Sequence, residues 1–404
     1  MGDGTGVVGA DGRDMGTDFH IEDPSLNDSL EETLDALLAK CPVAHSTVGH
    51  GYTVFNRYED VKRCAQDWET FSSAGGYMVN RPEGAVLILP EECDPPYHDT
   101  WRRALNPFLS PTTIASYEAP ARQYANELID AFAATGSCEF VGDFAAQLPG
   151  MVLFNCIIPV PVEDLPWLFE TLDIGTFGPL EERGPSFVEV YNYIGDYLAA
   201  RRDEGPRGDV VDLIVAGVDK DGEPAPWEDR ISVLVDLVYG GLATTTHVMS
   251  AAIHHLALNP ADRQALVEDP SLIPAAVEEF IRVFPPVIAV ARHVTADVEV
   301  AGEDLSEGDW VLLNYASASR DPEVVEDPTT IDIRRESILH STFGIGVHRC
   351  IGSHLARLEL TVTIEEMLRR IPEFSVAPGS SPSYETGQLR TMKNVQLVFD
   401  PASA

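Results

Sequence analysis

The ten residues Phe343–Gly352, FGIGVHRCIG, set one cysteine among three glycines, a histidine and an arginine, with no second cysteine near enough in sequence to pair. Glycine adopts backbone angles that a Cβ forbids, so Gly344, Gly346 and Gly352 let a flat body lie close against such a loop. Phe343 adds an apolar wall, and His348 and Arg349 are placed to hold anionic groups at the rim. A thiolate at the end of the loop is a strong, soft ligand for iron, and backbone N–H groups of the turn temper its charge. A lone cysteine is otherwise a buried, inert thiol; the frame F-x-x-G-x-H-x-C-x-G around Cys350 is what favours the ligand.

The remaining composition is that of a globular protein, with 44% hydrophobic and 23% charged residues in a chain of 404. Its 27 Lys and Arg stand against 65 Asp and Glu, a formal charge of −38. Such a surface repels phosphate backbones and anionic lipid, so neither a nucleic acid nor a membrane is expected as partner. Six scattered cysteines without a C-x-x-C pair argue against a zinc cluster or a disulfide framework, and fit a reducing cytoplasm. The N-terminus lacks the basic and apolar runs of a signal peptide. Residues 1–18 hold few bulky apolar side chains and are expected to form a mobile tail, with residues 19–404 as one domain.

Apolar residues recur at helical spacing in SLEETLDALLAK, YEAPARQYANELIDAFAA and IPAAVEEFIRVF, whereas VEVAG and DWVLLNY read as strands of a minor sheet. The fold class is therefore mainly α with a small β region. The long apolar stretch Ile231–Leu258 is interrupted by Asp236, His247, His254 and His255, which suits a core helix better than a membrane span. The segment ILPEECDPPYHDTWRR breaks one helix and starts another, with Asp94 as the expected cap. The loop before it, residues 72–86, has the length of a functional lid or binding loop.

Phe343, Gly346, His348, Cys350 and Gly352 reproduce the haem-ligand loop of the cytochrome P450 family, and the resemblance extends from about His20 to the C-terminus. It implies the cytochrome P450 fold and haem b ligated axially by Cys350. Glu279 and Arg282 resemble the family's E-x-x-R pair, one helical turn apart on one face, and Arg335 completes a structural triad. DPPYHDTWRR is similar to the D-P-P-x-H-x-x-x-R block, which assigns His98 and Arg102 to a haem propionate. Arg292 in ARHV matches a further propionate-binding arginine, with His348 beside it; Phe343, Gly344 and Gly352 border the haem.

DLVYGGLATTT, Asp236–Thr246, resembles the central helix whose usual pattern is G-G-x-(Asp/Glu)-Thr-Thr. Adjacent glycines cost about 1 kcal/mol each inside a helix, and widening the helix for dioxygen is a reason for Gly240 and Gly241. Thr244 falls on the threonine that holds a proton-bearing water, although a helical threonine also bonds back to the carbonyl four residues earlier. Ala243 stands where the family carries its acid. Proton delivery is then expected through ordered water, with Thr245 or His247 as detours.

By the same likeness, substrate contacts are expected from Tyr77, Val86, Ile88, Asp236, Tyr239, Val287, Ile288, Val290, Leu389 and Met392. The reaction implied is insertion of one atom of O2 into a small hydrophobic molecule, terpenoid-like or aromatic. No G-x-G-x-x-G motif accompanies it, so electrons are expected from an external iron–sulfur ferredoxin and its reductase. The segments HSTFG, IPEFSVAPGS and QLVFDPASA are similar to the camphor-hydroxylating branch. A peroxide-driven haem-thiolate enzyme and a haem-containing sensor are the two rivals, since either dispenses with the acid missing at Ala243.

Overall fold

The computed structural model describes residues 7–9, 12–79 and 85–401. Helices occupy about 52% of the chain, and the three helical periodicities read from the sequence become Leu26–Lys40, Glu118–Phe132 and Ile273–Val283. Five helices position the site. They are α1 (Tyr97–Leu105), α2 (Trp227–Gly240), α3 (Ala243–Leu258), α4 (Ile273–Val283) and α5 (Ser353–Arg370).

The apolar stretch forms α2 and α3, which run on as one central helix apart from a break at Gly241–Leu242, where Leu242 has φ −104° and ψ −75°. Every residue from Thr245 to Ile253 is buried. A helix apolar all round must be covered on all sides, and this one is covered by α5, by the π-helical turn Val141–Ala145 and by the strand Arg390–Met392. It is long and apolar enough to cross a membrane, but it serves as the core.

The main sheet has five strands, β1 (Val43–Ser46), β2 (Tyr52–Phe55), β3 (Phe71–Ser72), β4 (Ala289–Val294) and β5 (Trp310–Asn314), in the order β1-β2-β5-β4-β3. β5 lies parallel to β2 and antiparallel to β4, with Val311 opposite Arg292. DWVLLNY thus contributes the central strand. VEVAG forms a separate hairpin with Glu303–Leu305.

Two expectations are corrected. The described part of the expected tail is packed: Met15 is fully buried beside Leu26, Leu30 and Leu34, its N–H donates to the Val7 carbonyl at 2.7 Å, and His45 N donates to the Gly16 carbonyl at 2.9 Å. One methionine and one valine suffice because the backbone bonds fix them in register. Residues 1–6, 10 and 11 lie outside the described residues, as do 80–84 of the expected lid. Asp94 does not cap α1 through its side chain. Its carboxylate accepts from the Ser72 hydroxyl and from Ser73 N at 2.9 Å, tying β3 to the start of α1.

Candidate active site

Cys350 ends a short loop whose shape is set by its glycines. Gly346 sits at φ +78°, and a Cβ there would collide with the Ala65 carbonyl oxygen, so no side chain fits between this loop and the helix Tyr58–Gln66. Cys350 N donates to the Phe343 carbonyl at 2.7 Å and Gly344 N to the Ser341 carbonyl at 2.7 Å, closing the loop on itself. The Cys350 side chain is solvent-accessible because it lines a central cavity, not the outer surface. Its enclosed surroundings push the thiol up, an effect opposed by the Gly352 N–H, and among the six cysteines it is the one that lines this cavity.

The loop is braced from behind by buried charge. Arg282 Nε and Nη2 donate to the two Glu279 oxygens at 2.8 and 2.7 Å, with both residues fully buried, and Arg335 Nε reaches the same carboxylate at 3.2 Å. Burial alone would raise the Glu279 carboxyl; bonds from Arg282 and Asp332 N hold it below its ordinary value. The triad passes its rigidity to the loop. Arg282 Nη1 donates to the Ser319 carbonyl at 3.2 Å, Ser341 N donates to Ser319 Oγ at 3.0 Å, and Thr342 Oγ1 donates to the Ile281 carbonyl at 2.9 Å.

The cavity rim gathers cations that lack an anion. Arg102 Nη2 donates to the Arg349 carbonyl at 2.6 Å and Arg292 Nη1 to the Ala291 carbonyl at 2.7 Å; among the described residues neither has a carboxylate at ion-pairing distance. His98 and His348 face each other with ring centroids 4.3 Å apart. Burial and the neighbouring Arg292 push His348 down to about 2, and burial lowers His98, so both are neutral near pH 7. His348 Nε2 is buried without a hydrogen-bond partner. An orphaned buried polar atom is costly. Two unpaired guanidinium groups and one unpaired imidazole around a cavity floored by a thiol are the donor set that a haem with two propionates requires.

The opposite wall is the central helix. Asp236, Leu237, Gly240, Gly241, Thr244, Thr245 and Val248 all line the cavity, at intervals that return to one face every turn. Thr244 Oγ1 donates to the Gly240 carbonyl at 3.0 Å. The local bond that a helical threonine makes is present, and the residue lines the cavity as well.

The same periodicity sends Ala243 elsewhere. With Tyr239, Leu242 and Thr246 it lines a second cavity on the far side of the helix, shared with Asp173, Met392 and Lys393. His247 is no part of the central cavity either. Its Nδ1 accepts from Met392 N at 3.0 Å, and burial, aided by Arg390, pushes it down to about 3.

Of the expected substrate contacts, Asp236, Val287 and Val290 line the central cavity, and the others do not. Tyr239 points into the second cavity, its ring tilted against Phe187 with centroids 5.5 Å apart. Met392 is buried beneath the second cavity. Ile288 is turned into the core under β2 and β4, because its N–H is held by the Gln388 carbonyl. Val86 and Leu389 are exposed. Tyr77 and Ile88 are fixed by Glu92, whose carboxylate accepts from both their N–H groups.

Several residues that line or brace the site were missed. Tyr315 from the turn after β5 lines the cavity, and no motif in the sequence marks it. Arg357 stacks over the Phe343 ring at 4.5 Å while binding Glu278; its position one turn into a helix after the cysteine was the available signal. Glu91, next to the D-P-P block, also lines the cavity.

The sequence profile described as Cytochrome P450 matches residues 187–399. The steroid C26-monooxygenase of Mycobacterium tuberculosis is 30% identical over 87% of this chain and 96% of its own. The vitamin D(3) 25-hydroxylase of Pseudonocardia autotrophica is 28% identical over 91% of this chain and 93% of its own. The crystal structure of CYP101J2 superposes with a TM-score of 0.84 at 31% identity, covering 98% of this chain and 99% of that one.

Proposed function

The chain belongs to the cytochrome P450 family and is a haem monooxygenase with a cysteine thiolate as axial ligand; we propose that Cys350 is that ligand, that the substrate is a small hydrophobic molecule, terpenoid-like or aromatic, and that electrons come from a separate iron–sulfur ferredoxin in the cytoplasm. The observation that carries this reading is the convergence on one cavity of Cys350, the unpaired Arg102 and Arg292, and the orphaned His348 Nε2.

The haem supplies oxygen activation, which a thiolate ligand promotes by pushing electron density toward the iron. Everything else falls to the chain. Arg102, Arg292, His98 and His348 would hold the propionates by charge-assisted and neutral hydrogen bonds. Phe343, fixed under Arg357, closes the apolar side of the loop. Gly240 and Gly241 leave the helix wall without side chains over the reaction volume. Thr244 Oγ1, already donating to the Gly240 carbonyl, keeps its lone pairs for a water that carries a proton into the cavity. Ala243 faces the second cavity, so the water route enters beside Thr244 without a carboxylate at that position.

Arg349 is exposed next to Cys350 in an otherwise acidic surface, and with the exposed Arg103 it marks the face where an acidic electron donor docks. The test is direct. The reduced, carbon-monoxide-bound protein should show the red-shifted absorption of thiolate-ligated haem, and product should form with ferredoxin and reductase. Turnover supported by peroxide and not by ferredoxin would overturn the electron-donor part, and absence of the red-shifted band would overturn the assignment of Cys350.

A further inference from the structure

We propose that the cavity selects a hydrophobic substrate bearing one protonated or quaternary amine, held between the carboxylates of Glu91 and Asp236. The proposal rests on the reading above and narrows its substrate class.

The argument is one of charge. Among the described residues, the permanently charged cations that border the cavity are Arg102 and Arg292. Two haem propionates neutralise those two arginines. Ferric iron, the porphyrin dianion and the Cys350 thiolate sum to zero. Glu91 and Asp236 are then left over, both lining the cavity, and among the described residues neither carboxylate has a hydrogen-bond or ion-pair partner. Burial raises both carboxyl groups, Asp236 further through Glu91 and Glu92, and what restrains them comes from the same arginines: Arg292 and Arg102 for Glu91, Arg102 for Asp236. Once the propionates engage those arginines, that restraint weakens, and a cation placed between the two carboxylates is what keeps them ionised.

Unpaired carboxylates in an enclosed apolar space are unfavourable unless protonated or given a cation. A cation entering with the substrate satisfies both. A resident metal ion is a poorer occupant, because no group of three or more His, Cys, Asp or Glu side chains suited to a metal exists among the described residues. The remaining lining, including Leu105, Leu109, Leu153, Val248, Val287 and Val290, is apolar and accommodates a hydrocarbon body. Asp236 precedes Thr244 by eight residues, about 12 Å along a helix. The charged end is therefore held away from Thr244, and the hydrocarbon end is presented to it.

The test uses haem-loaded protein and two probes of one shape: benzyltrimethylammonium, whose nitrogen has no lone pair to ligate iron, and its neutral carbon analogue neopentylbenzene. Dissociation constants are measured by calorimetry and by the Soret shift. The ammonium should bind at least roughly tenfold tighter than the hydrocarbon, and Asp236→Asn and Glu91→Gln should each remove most of that preference while leaving hydrocarbon affinity within about twofold. Equal affinity for the two probes, or a preference that survives both substitutions, overturns the proposal when the reduced carbon-monoxide band is intact. If that band is absent from the wild-type protein, it is the haem-thiolate reading that has failed, and the proposal falls with it.

Discussion

The wall around Cys350 is closed by backbone hydrogen bonds, a left-handed glycine and a buried Glu–Arg–Arg network, whereas the wall facing it is a broken helix with two adjacent glycines and two unpaired carboxylates beside it. The backbone of the first wall is closed without a ligand, leaving only rim donors such as His348 Nε2 to be met; the other wall has carboxylates left over. A ligand atom bound to metal has to be fixed in place before the metal arrives, and the loop meets that demand. The side that receives substrate and dioxygen needs room and unspent polarity, and the helix supplies both.

The contrast can be broken experimentally, beginning on the fixed wall. Cys350→Ala should abolish the red-shifted band of the reduced carbon-monoxide complex altogether, which absorption spectroscopy reads at once; a retained band would remove the loop from the chemistry. Glu279→Gln leaves Arg282 buried beside a neutral amide and should cost about 3–5 kcal/mol in urea unfolding. The wild-type contribution of Glu279 also has a pH signature. Its carboxyl is lowered in the fold, so the stabilisation is complete above the ordinary value of 4.5 and is lost as pH falls below it. The gap between the unfolding curves of wild type and variant should be full at pH 7, begin to narrow below pH 4.5, and close only as pH falls through the lowered folded value.

Gly346→Ala places a Cβ against the Ala65 carbonyl at a positive φ, and should lower stability by about 1–3 kcal/mol with loss of haem on gel filtration. On the open wall the effects are smaller for folding and confined to turnover. Thr244→Ala should keep the carbon-monoxide band and the unfolding midpoint while reducing product formed per reducing equivalent roughly tenfold, if its hydroxyl holds the proton-carrying water. The smallest change is expected from Ala243→Asp, because that side chain enters the second cavity. Product yield should move by less than about twofold, and a large gain would show that the two cavities communicate.

Much of the site was legible because its chemistry is local. A loop of ten residues carries the thiol and its turn, and E-x-x-R places a carboxylate and a guanidinium one turn apart whatever surrounds them. The helix wall was legible in part: the double glycine marked the face of Gly240 and Thr244. Its neighbours Tyr239 and Ala243 were assigned by position in a pattern and not by angle around the axis, and they point into a different cavity. The expected substrate contacts from loops are the ones least often found lining the central cavity. Ile288, Leu389 and Val86 are apolar residues near the right strand or loop, yet their directions are set by backbone bonds such as Ile288 N to the Gln388 carbonyl, which leave no trace in composition. Met15 failed in the opposite sense, since a single buried methionine does not alter the average polarity of a tail.

Covalent neighbours alone dictate the helical periods, the glycine turn before Cys350 and the pairing of Glu279 with Arg282, because each depends on spacing of four residues or fewer, or on one backbone angle. Which cations remain without an anion, which carboxylates are stranded in the cavity and which face of the central helix meets them depend on residues hundreds of positions apart. Charge balance inside an enclosed space is a sum over everything that borders it, and that sum exists only once the chain has closed around the cavity.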